Sequence, residues 1–141
     1  MAVTYLVDKS AWEQLRYPAA RASFARLAQQ GAIATCPVIA AEMLFSARNH
    51  ERLQMRRRQL ETLVWLESNE HAAERMLGVQ QDLAKRGQHR SVGVVDLLVA
   101  ATAEANWATV LHYDSDFERI AEITGQPHEW IVPRGRGHKT R

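Results

Sequence analysis

Four of the five aspartates in this sequence stand where one predicted element ends and the next begins: Asp8, Asp96, Asp114 and Asp116. Asp8 and Asp114 each follow a short run of β-forming residues, whereas Asp96 and Asp116 fall near the start of a predicted helix. Asp82, the fifth, lies on an ordinary polar helix face. The chemistry open to clustered carboxylates is the binding of a hard divalent cation, because Mg²⁺ and Mn²⁺ accept all-oxygen ligation.

Glu42 is a further candidate, since it interrupts the apolar stretch PVIAAEMLFSA in the second turn of a predicted helix. Each aspartate taken singly also has a structural interpretation, because Asp is common in turns and at the positive ends of helices. Glu42 is too deep in its helix for a cap, and a carboxylate in apolar surroundings needs a partner or a metal. No basic residue adjoins Glu42 or Asp96 in the sequence. Carboxylates that converge without cations repel one another, so the set as a whole favours a metal site.

The elements that must position these side chains alternate between short apolar runs and helical patterns. Asn49 is expected to cap one helix, Ser115 and Glu118 to form a capping box on another, and Gly87 and Gly125 to end two. Such alternation predicts a three-layer α/β/α domain whose central parallel sheet has about five short strands, with ligands bound beyond the carboxyl ends of the strands. The predicted strands are 3–7, 32–36, 64–66, 109–113 and 129–132, and the predicted helices are 10–30 (restarting at Pro18), 37–48, 49–63, 70–86, 94–107 and 115–125.

Composition narrows the class of protein. A chain of 141 residues with 46% hydrophobic and 24% charged residues is expected to form one globular domain. The first residues do not resemble a signal peptide, and no apolar run reaches the ~18 residues of a membrane span, so we expect a cytoplasmic protein. The single cysteine, Cys36, excludes an internal disulfide and a cysteine-built metal site.

The charge is unevenly distributed along the chain. The net charge is +2, but four of the 18 Lys and Arg residues lie in 134–141, leaving 14 basic against 16 acidic residues in the rest, a net of −2. We therefore predict a domain over 1–133 and a loosely ordered basic tail over 134–141.

The motifs YLVDKSAW, PVIAAEMLFSAR, VVDLLVAATAEA and VLHYDSDFERIAEITG occur in this order and spacing, from Tyr5 onward. In this they resemble the PIN-domain ribonucleases, most of all the VapC-like toxins of type II VapBC toxin–antitoxin systems, and the resemblance extends to Pro133. It implies a Mg²⁺-dependent (or Mn²⁺-dependent) endoribonuclease. The resemblance further implies that the metal is held by Asp8, Glu42, Asp96 and Asp114, with Asp116 a more variable fifth member.

Two neighbours of the first aspartate also bear on the resemblance. Ser10 matches a small hydroxyl residue that family members carry near that aspartate, and we assign it an auxiliary role. Lys9 stands where many members have Thr or Ser, a departure that would put an additional cation beside the site. A metal-bound water supplies hydroxide near neutral pH, so no histidine base is required. His112 and His89 are the residues that a histidine-pair nuclease would need, but His112 falls inside a strand pattern and is expected to be structural.

Arg48, Arg52 and Arg56 recur every four residues and are expected to form a stripe along one helix face. A phosphate-contacting ridge for RNA and a solvated face paired with Glu51 and Glu61 are equally consistent with this spacing. The family resemblance implies an RNA substrate, a cognate VapB-like antitoxin and a homodimer. It gives no indication that this chain binds DNA by itself.

Other functions fit the sequence less well than a ribonuclease does. A non-catalytic RNA-binding or regulatory module with the same fold would not need the complete acid set. A phosphatase of the haloacid-dehalogenase type requires a second Asp two residues after the first, where this chain has Ser10. A receiver domain requires a lysine after a late strand, and the first such lysine lies in the basic tail.

Overall fold

A computed structural model describes residues 2–136 and contains a parallel sheet of five strands in the order β3-β2-β1-β4-β5. Tyr5 is in register with Ile33 on one side and with Thr109 on the other. The five predicted strands are all present: β1 has the predicted bounds, and the ends of the other four differ from the predictions by at most two residues. They are β1 Val3–Val7, β2 Gly31–Thr35, β3 Val64–Trp65, β4 Thr109–His112 and β5 His128–Trp130.

Seven helices connect the strands, and their ends follow the residue types that favour helix ends. Pro18 and Pro37 each occupy the first turn of a helix, where a missing N–H costs nothing. Asn49 caps its helix through a bond from the Arg52 amide, as predicted, and Gly125 ends another in the left-handed conformation at φ 70°. The helices are α1 Lys9–Gln14, α2 Pro18–Gln30, α3 Pro37–Phe45, α4 His50–Leu60, α5 Glu70–Lys85, α6 Val94–Ala105 and α7 Asp116–Thr124.

Side chains of the central strands alternate between two apolar cores, one on each face of the sheet. Leu6 and Val110 join the core formed with α3, α5, α6 and α7. Val7 and Leu111 join the other core, which is covered by α1 and α2. This period of two is what a strand buried on both faces requires, and it gives the predicted three-layer α/β/α arrangement.

Three local predictions were wrong, one of them being the end of α4, which is Leu60 and not residue 63. Ser115 forms no side-chain cap, so the capping box with Glu118 is absent; Asp114 Oδ1 instead accepts the Asp116 amide at 2.9 Å. The helix predicted over 37–48 ends at Phe45, where Ser46 leaves helical geometry, and Arg48 therefore lies in a connection.

The ends of the described chain bear on two further expectations. Arg134, the first residue of the predicted tail, pairs with Glu118 at 3.1 Å and lies over the Trp130 ring. Residues 137–141 of that tail lie outside the described residues. Among the helices that are described, none has both the length and the apolar character needed to cross a membrane.

Candidate metal centre

An open cleft of about 390 Å³ lies at the carboxyl edge of the sheet, where β1 and β4 end side by side. The Asp8 amide continues the ladder beyond β1 by donating to Leu111 O at 2.9 Å. The residues that follow β1 and β4 therefore lie next to each other at the carboxyl edge of the sheet. The cleft is bordered by Asp8, Lys9, Ser10, Glu13, Gln14, Glu42, Asp96, Tyr113 and Asp114.

Asp8 is a buried carboxylate held by its own helix. Its Oδ2 accepts the Ser10 amide at 3.0 Å and the Ser10 hydroxyl at 2.7 Å, which caps α1. Ser10 Oγ in turn accepts the Tyr113 amide at 2.9 Å. A single hydroxyl therefore fixes the first carboxylate and ties β1 to the end of β4. The auxiliary position predicted for Ser10 is consistent with this geometry.

Asp114 is oriented through its backbone. Its amide donates to Nδ1 of His112 at 3.1 Å, and its own Oδ1 accepts the Asp116 amide at 2.9 Å. His112 is fully buried, and its Nε2 lies 2.9 Å from Nδ1 of His128. Because Nδ1 of His112 accepts a bond, Nε2 carries the proton and His128 accepts it. The histidine thus has a structural role, as the sequence indicated.

Asp96 and Asp116 bring the first turns of α6 and α7 together. Carboxylate oxygens of Asp96, Asp114 and Asp116 all lie within 4.8 Å of one another. Asp116 Oδ2 accepts the Gly93 amide at 3.0 Å, and its Oδ1 accepts from Arg119 at 3.2 Å. Asp116 therefore connects α7 to the residue that begins α6, in addition to facing the cluster.

Glu42 reaches the same cleft from the second turn of α3. Partial burial raises its pKa, the Asp8 carboxylate raises it further, and the Lys9 ammonium opposes both. The sequence showed no basic residue next to Glu42 along the chain. Lys9 supplies that cation through space, and it borders the cleft, as expected from its departure from the family pattern.

The carboxyl groups of Asp8 and Asp96 are buried or half-buried next to other carboxylates, which raises the pKa of each. Burial raises the pKa of Asp8, and repulsion from Asp114 adds to the effect. Burial, a hydrogen bond with Asp116 and three neighbouring carboxylates raise the pKa of Asp96 to about 9. A carboxyl group such as Asp96, whose pKa is raised this far by burial and by its carboxylate neighbours, is suited to a divalent cation, whose charge would replace the proton. The donor set of carboxylate oxygens fits Mg²⁺ or Mn²⁺.

All five predicted acidic residues are brought together, but the predicted arginine stripe is not. Arg48 precedes α4, so only Arg52 and Arg56 share that helix. Arg56 donates through Nη1 to Met43 O and to Ser46 Oγ, each at 3.0 Å, and so ties α4 to the end of α3. The assignment of these arginines to RNA binding remains a prediction.

Glu13 and Gln14 were not identified from the sequence, although both border the cleft. The signal in the sequence was indirect: α1 begins immediately after Asp8, so its side chains are bound to lie near that carboxylate. The contact between His112 and Asp114 was also not identified from the sequence. The two residues are separated by one position at the end of β4, and that short spacing was the available signal.

Comparison with known proteins agrees with the fold. The sequence profile of the PIN domain matches residues 5–123. The chain is similar to Ribonuclease VapC51 of Mycobacterium tuberculosis, with 42% identity over 135 residues that cover 96% of this chain and 98% of that protein. It is also similar to Ribonuclease VapC21 of the same species, with 40% identity over 138 residues, 96% of this chain and 99% of that one.

Solved structures show the same fold. VapBC2 from Rickettsia felis, bound to a promoter DNA fragment, is 18% identical with a TM-score of 0.74 and covers 91% of this chain and 98% of that one. VapBC-1 from nontypeable Haemophilus influenzae is 20% identical, also with a TM-score of 0.74, and covers 92% and 98%. With the profile match over most of its length and relatives at 40% identity or more, this chain belongs to the PIN domain family.

Proposed function

We propose that this chain is a Mg²⁺-dependent endoribonuclease and the toxin of a toxin–antitoxin system. The observation that carries the proposal is the convergence of carboxylates from the ends of β1 and β4 and from α3 and α6 on one open cleft. Relatives over nearly the whole chain are named ribonucleases. The reaction would be hydrolysis of an RNA phosphodiester bond.

The residues that would hold the cation are Asp8, Glu42, Asp96, Asp114 and Asp116. When bound, a divalent ion lowers the pKa of its water and neutralises charge on the scissile phosphate. The chain contributes orientation: Ser10 fixes the Asp8 carboxylate, and His112 fixes the Asp114 backbone. His112 is not available as a general acid, because burial and His128 lower its pKa to about 3. No side chain other than the carboxylates is needed to accept the proton of the attacking water.

A VapB-like antitoxin and a second copy of this chain are the protein partners that we propose. Support comes from large apolar side chains that remain exposed on α3, α4 and β3, namely Phe45, Met55, Val64 and Trp65. Exposed apolar groups concentrated on successive elements are typical of protein-binding surfaces. The R. felis and H. influenzae structures are both of VapBC assemblies, and this supports an antitoxin as the partner that we propose. We assign no DNA binding to this chain alone.

The domain boundary and the location of the protein belong to the same proposal. We place the nuclease domain at 1–133, followed by a basic tail over 134–141, and the chain in the cytoplasm where messenger, transfer and ribosomal RNA are available. Contacts of Arg134 with Glu118 and Trp130 favour a tail that begins close to the body of the domain.

Inducible expression in a bacterial host tests the proposal as a whole. The unmodified chain should arrest growth and produce discrete cleavage products in total cellular RNA, and the cognate antitoxin should relieve both effects. Asp96→Asn should be harmless at equal protein levels. Asp82→Asn is the matched control, because Asp82 lies on α5 away from the cleft and pairs with Lys85. Growth arrest by Asp96→Asn, or arrest without RNA cleavage, would contradict the proposal.

A further inference from the structure

Gln14 has a buried amide that satisfies no hydrogen bond. The residue is 5% exposed, borders the acidic cleft, and its Oε1 is buried without a partner. Its side chain makes no hydrogen bond to any other residue within 2–136. A buried polar atom without a partner destabilises the fold, so its place beside a binding cleft points to a ligand that completes it.

Lys9 is the only cationic side chain among the described residues that border the cleft. Its ammonium lies 3.8 Å from Glu13 Oε1, and both side chains are substantially exposed. An ion pair this exposed is weak and exchanges readily for another anion. Lys9 is therefore available to a phosphate in a cleft whose other charged groups are all acidic.

We propose that Lys9 and Gln14 form a ribonucleotide subsite on α1, with Lys9 contacting a backbone phosphate and Gln14 the 2′-hydroxyl of the adjoining sugar. The inference rests on the proposed ribonuclease function and names the part of the substrate that α1 recognises. Lys9 draws the negatively charged backbone toward a cleft that would otherwise repel it. Gln14 makes the cleft distinguish RNA from DNA.

The chemistry of the amide favours the 2′-hydroxyl over the other groups of a nucleotide backbone. A carboxamide has one accepting oxygen and a donating NH₂ group, so its complement both donates and accepts. Phosphate oxygens only accept, whereas the 2′-hydroxyl does both and is the group that separates RNA from DNA. An exclusively structural Gln14 would accept a hydrogen bond at Oε1 from the protein, and none of residues 2–136 donates one.

Binding rather than turnover provides the test. The full-length Asp96→Asn chain, with Mg²⁺ present, is titrated into a fluorescein-labelled 12-nucleotide RNA of randomised sequence and into the DNA of the same design. Gln14→Met and Gln14→Leu remove the amide, while Lys9→Met removes the cation and Lys9→Arg keeps it. Gln81→Met and Lys85→Met are matched controls on α5, away from the cleft.

The parent chain should bind RNA more tightly than DNA, and Gln14→Met should reduce that ratio about 3- to 10-fold, the contribution of one net hydrogen bond. Its melting temperature should stay equal or rise, because an unpaired buried amide has been removed. Lys9→Met should weaken both nucleic acids equally and flatten the log–log salt dependence by roughly 0.7, whereas Lys9→Arg and both controls should match the parent.

An unchanged RNA-to-DNA ratio in both Gln14 variants, or unchanged binding in Lys9→Met, would overturn the subsite. If the unmodified chain nevertheless cleaves RNA with Mg²⁺, the subsite fails and the ribonuclease stands. If it neither cleaves RNA nor binds it in preference to DNA, the proposed function fails with it.

Discussion

The backbone amide of Asp114 donates to Nδ1 of the buried His112 ring at 3.1 Å. The donor is the amide of a residue whose side chain faces the acidic cleft, and the acceptor is an imidazole that must remain neutral to accept it. His112 also contacts the rings of Phe117 and Trp130, so its orientation is fixed by packing. The position of one acidic side chain therefore depends on the protonation state of a histidine in the core.

This dependence predicts a particular acid sensitivity. Burial lowers the pKa of His112 to about 3, so between pH 3 and 6.5 the unfolded chain binds a proton that the folded chain does not. The free energy of unfolding should accordingly fall as pH drops below 6.5, by up to about 1.4 kcal/mol per unit from this group. In His112→Gln, which keeps an acceptor for the Asp114 amide, the melting temperature should fall less between pH 7 and pH 5 than it does in the unmodified chain. His71→Gln, an exposed change on α5, should behave as the unmodified chain does, and equal losses in all three would refute the interpretation.

Neutralising one cleft carboxylate should remove activity and increase stability. Asp8→Asn or Asp96→Asn should abolish RNA cleavage, because each carboxylate is proposed to hold the metal. In EDTA, the folded chain holds a proton on Asp96 up to a pKa of about 9, whereas the unfolded chain releases it near pH 4. Stability contributed at low pH is therefore lost as pH rises through this window, and Asp96→Asn should melt higher than the unmodified chain at pH 8. Each kcal/mol gained corresponds to about 2–4 °C. Wild-type turnover, or a lower melting temperature in metal-free buffer, would be inconsistent with the cluster.

Asp114 and Asp116 should differ in importance. Asp116 holds the Gly93 amide and Arg119, so Asp116→Ala should lower the melting temperature by loosening the α6–α7 junction. Some cleavage should survive in Asp116→Ala and none in Asp114→Ala. Assays at saturating Mg²⁺ compare the two variants, with Asp116→Asn as the milder change. Complete and equal loss of cleavage in both Ala variants would show that Asp116 is as essential to the metal site as Asp114.

The arginines near α4 now divide into two groups. If Arg48 and Arg52 bind phosphates, the double Gln variant should raise KM for RNA with kcat nearly unchanged, and each substitution should flatten the log–log salt dependence of binding by roughly 0.7. Arg56→Gln should instead lower the melting temperature, because it removes bonds to Met43 O and Ser46 Oγ. An unchanged KM and salt slope in the double variant would exclude RNA binding by Arg48 and Arg52. Binding to the antitoxin or to a second protomer would then be the remaining function for these two residues.

The sequence predicted the fold well because its signals were local. The runs at Val3–Val7 and Thr109–His112 are short, apolar and bounded by polar residues, and Pro18, Pro37, Asn49 and Gly125 set helix ends by their own backbone preferences. The convergence of Asp8 and Asp114 followed from parallel strands alone. The capping box at Ser115 failed because Asp114, one residue earlier, offers the Asp116 amide a carboxylate instead.

What could not be predicted depended on through-space contacts. Nothing in the order of residues showed that Lys9 would lie near Glu42, that Asp116 would bond the Gly93 amide, or that Gln14 would be buried at the cleft. Each of these relationships joins elements whose relative angle is set by packing of the two cores. Arg48 was wrongly assigned to a helix because it lies four residues before Arg52. That spacing gave no sign of the break between α3 and α4.

The measurement that tests the central claim most directly is RNA cleavage by the purified full-length chain as a function of Mg²⁺ concentration. The probe is total bacterial RNA, and Asp96→Asn and Asp82→Asn are run beside the unmodified chain. We expect discrete cleavage products that increase with Mg²⁺, disappear in EDTA, return when Mg²⁺ is restored, and persist in Asp82→Asn but not in Asp96→Asn. Cleavage that continues in EDTA, or that Asp96→Asn retains in full, would contradict a metal-dependent acidic site in this cleft.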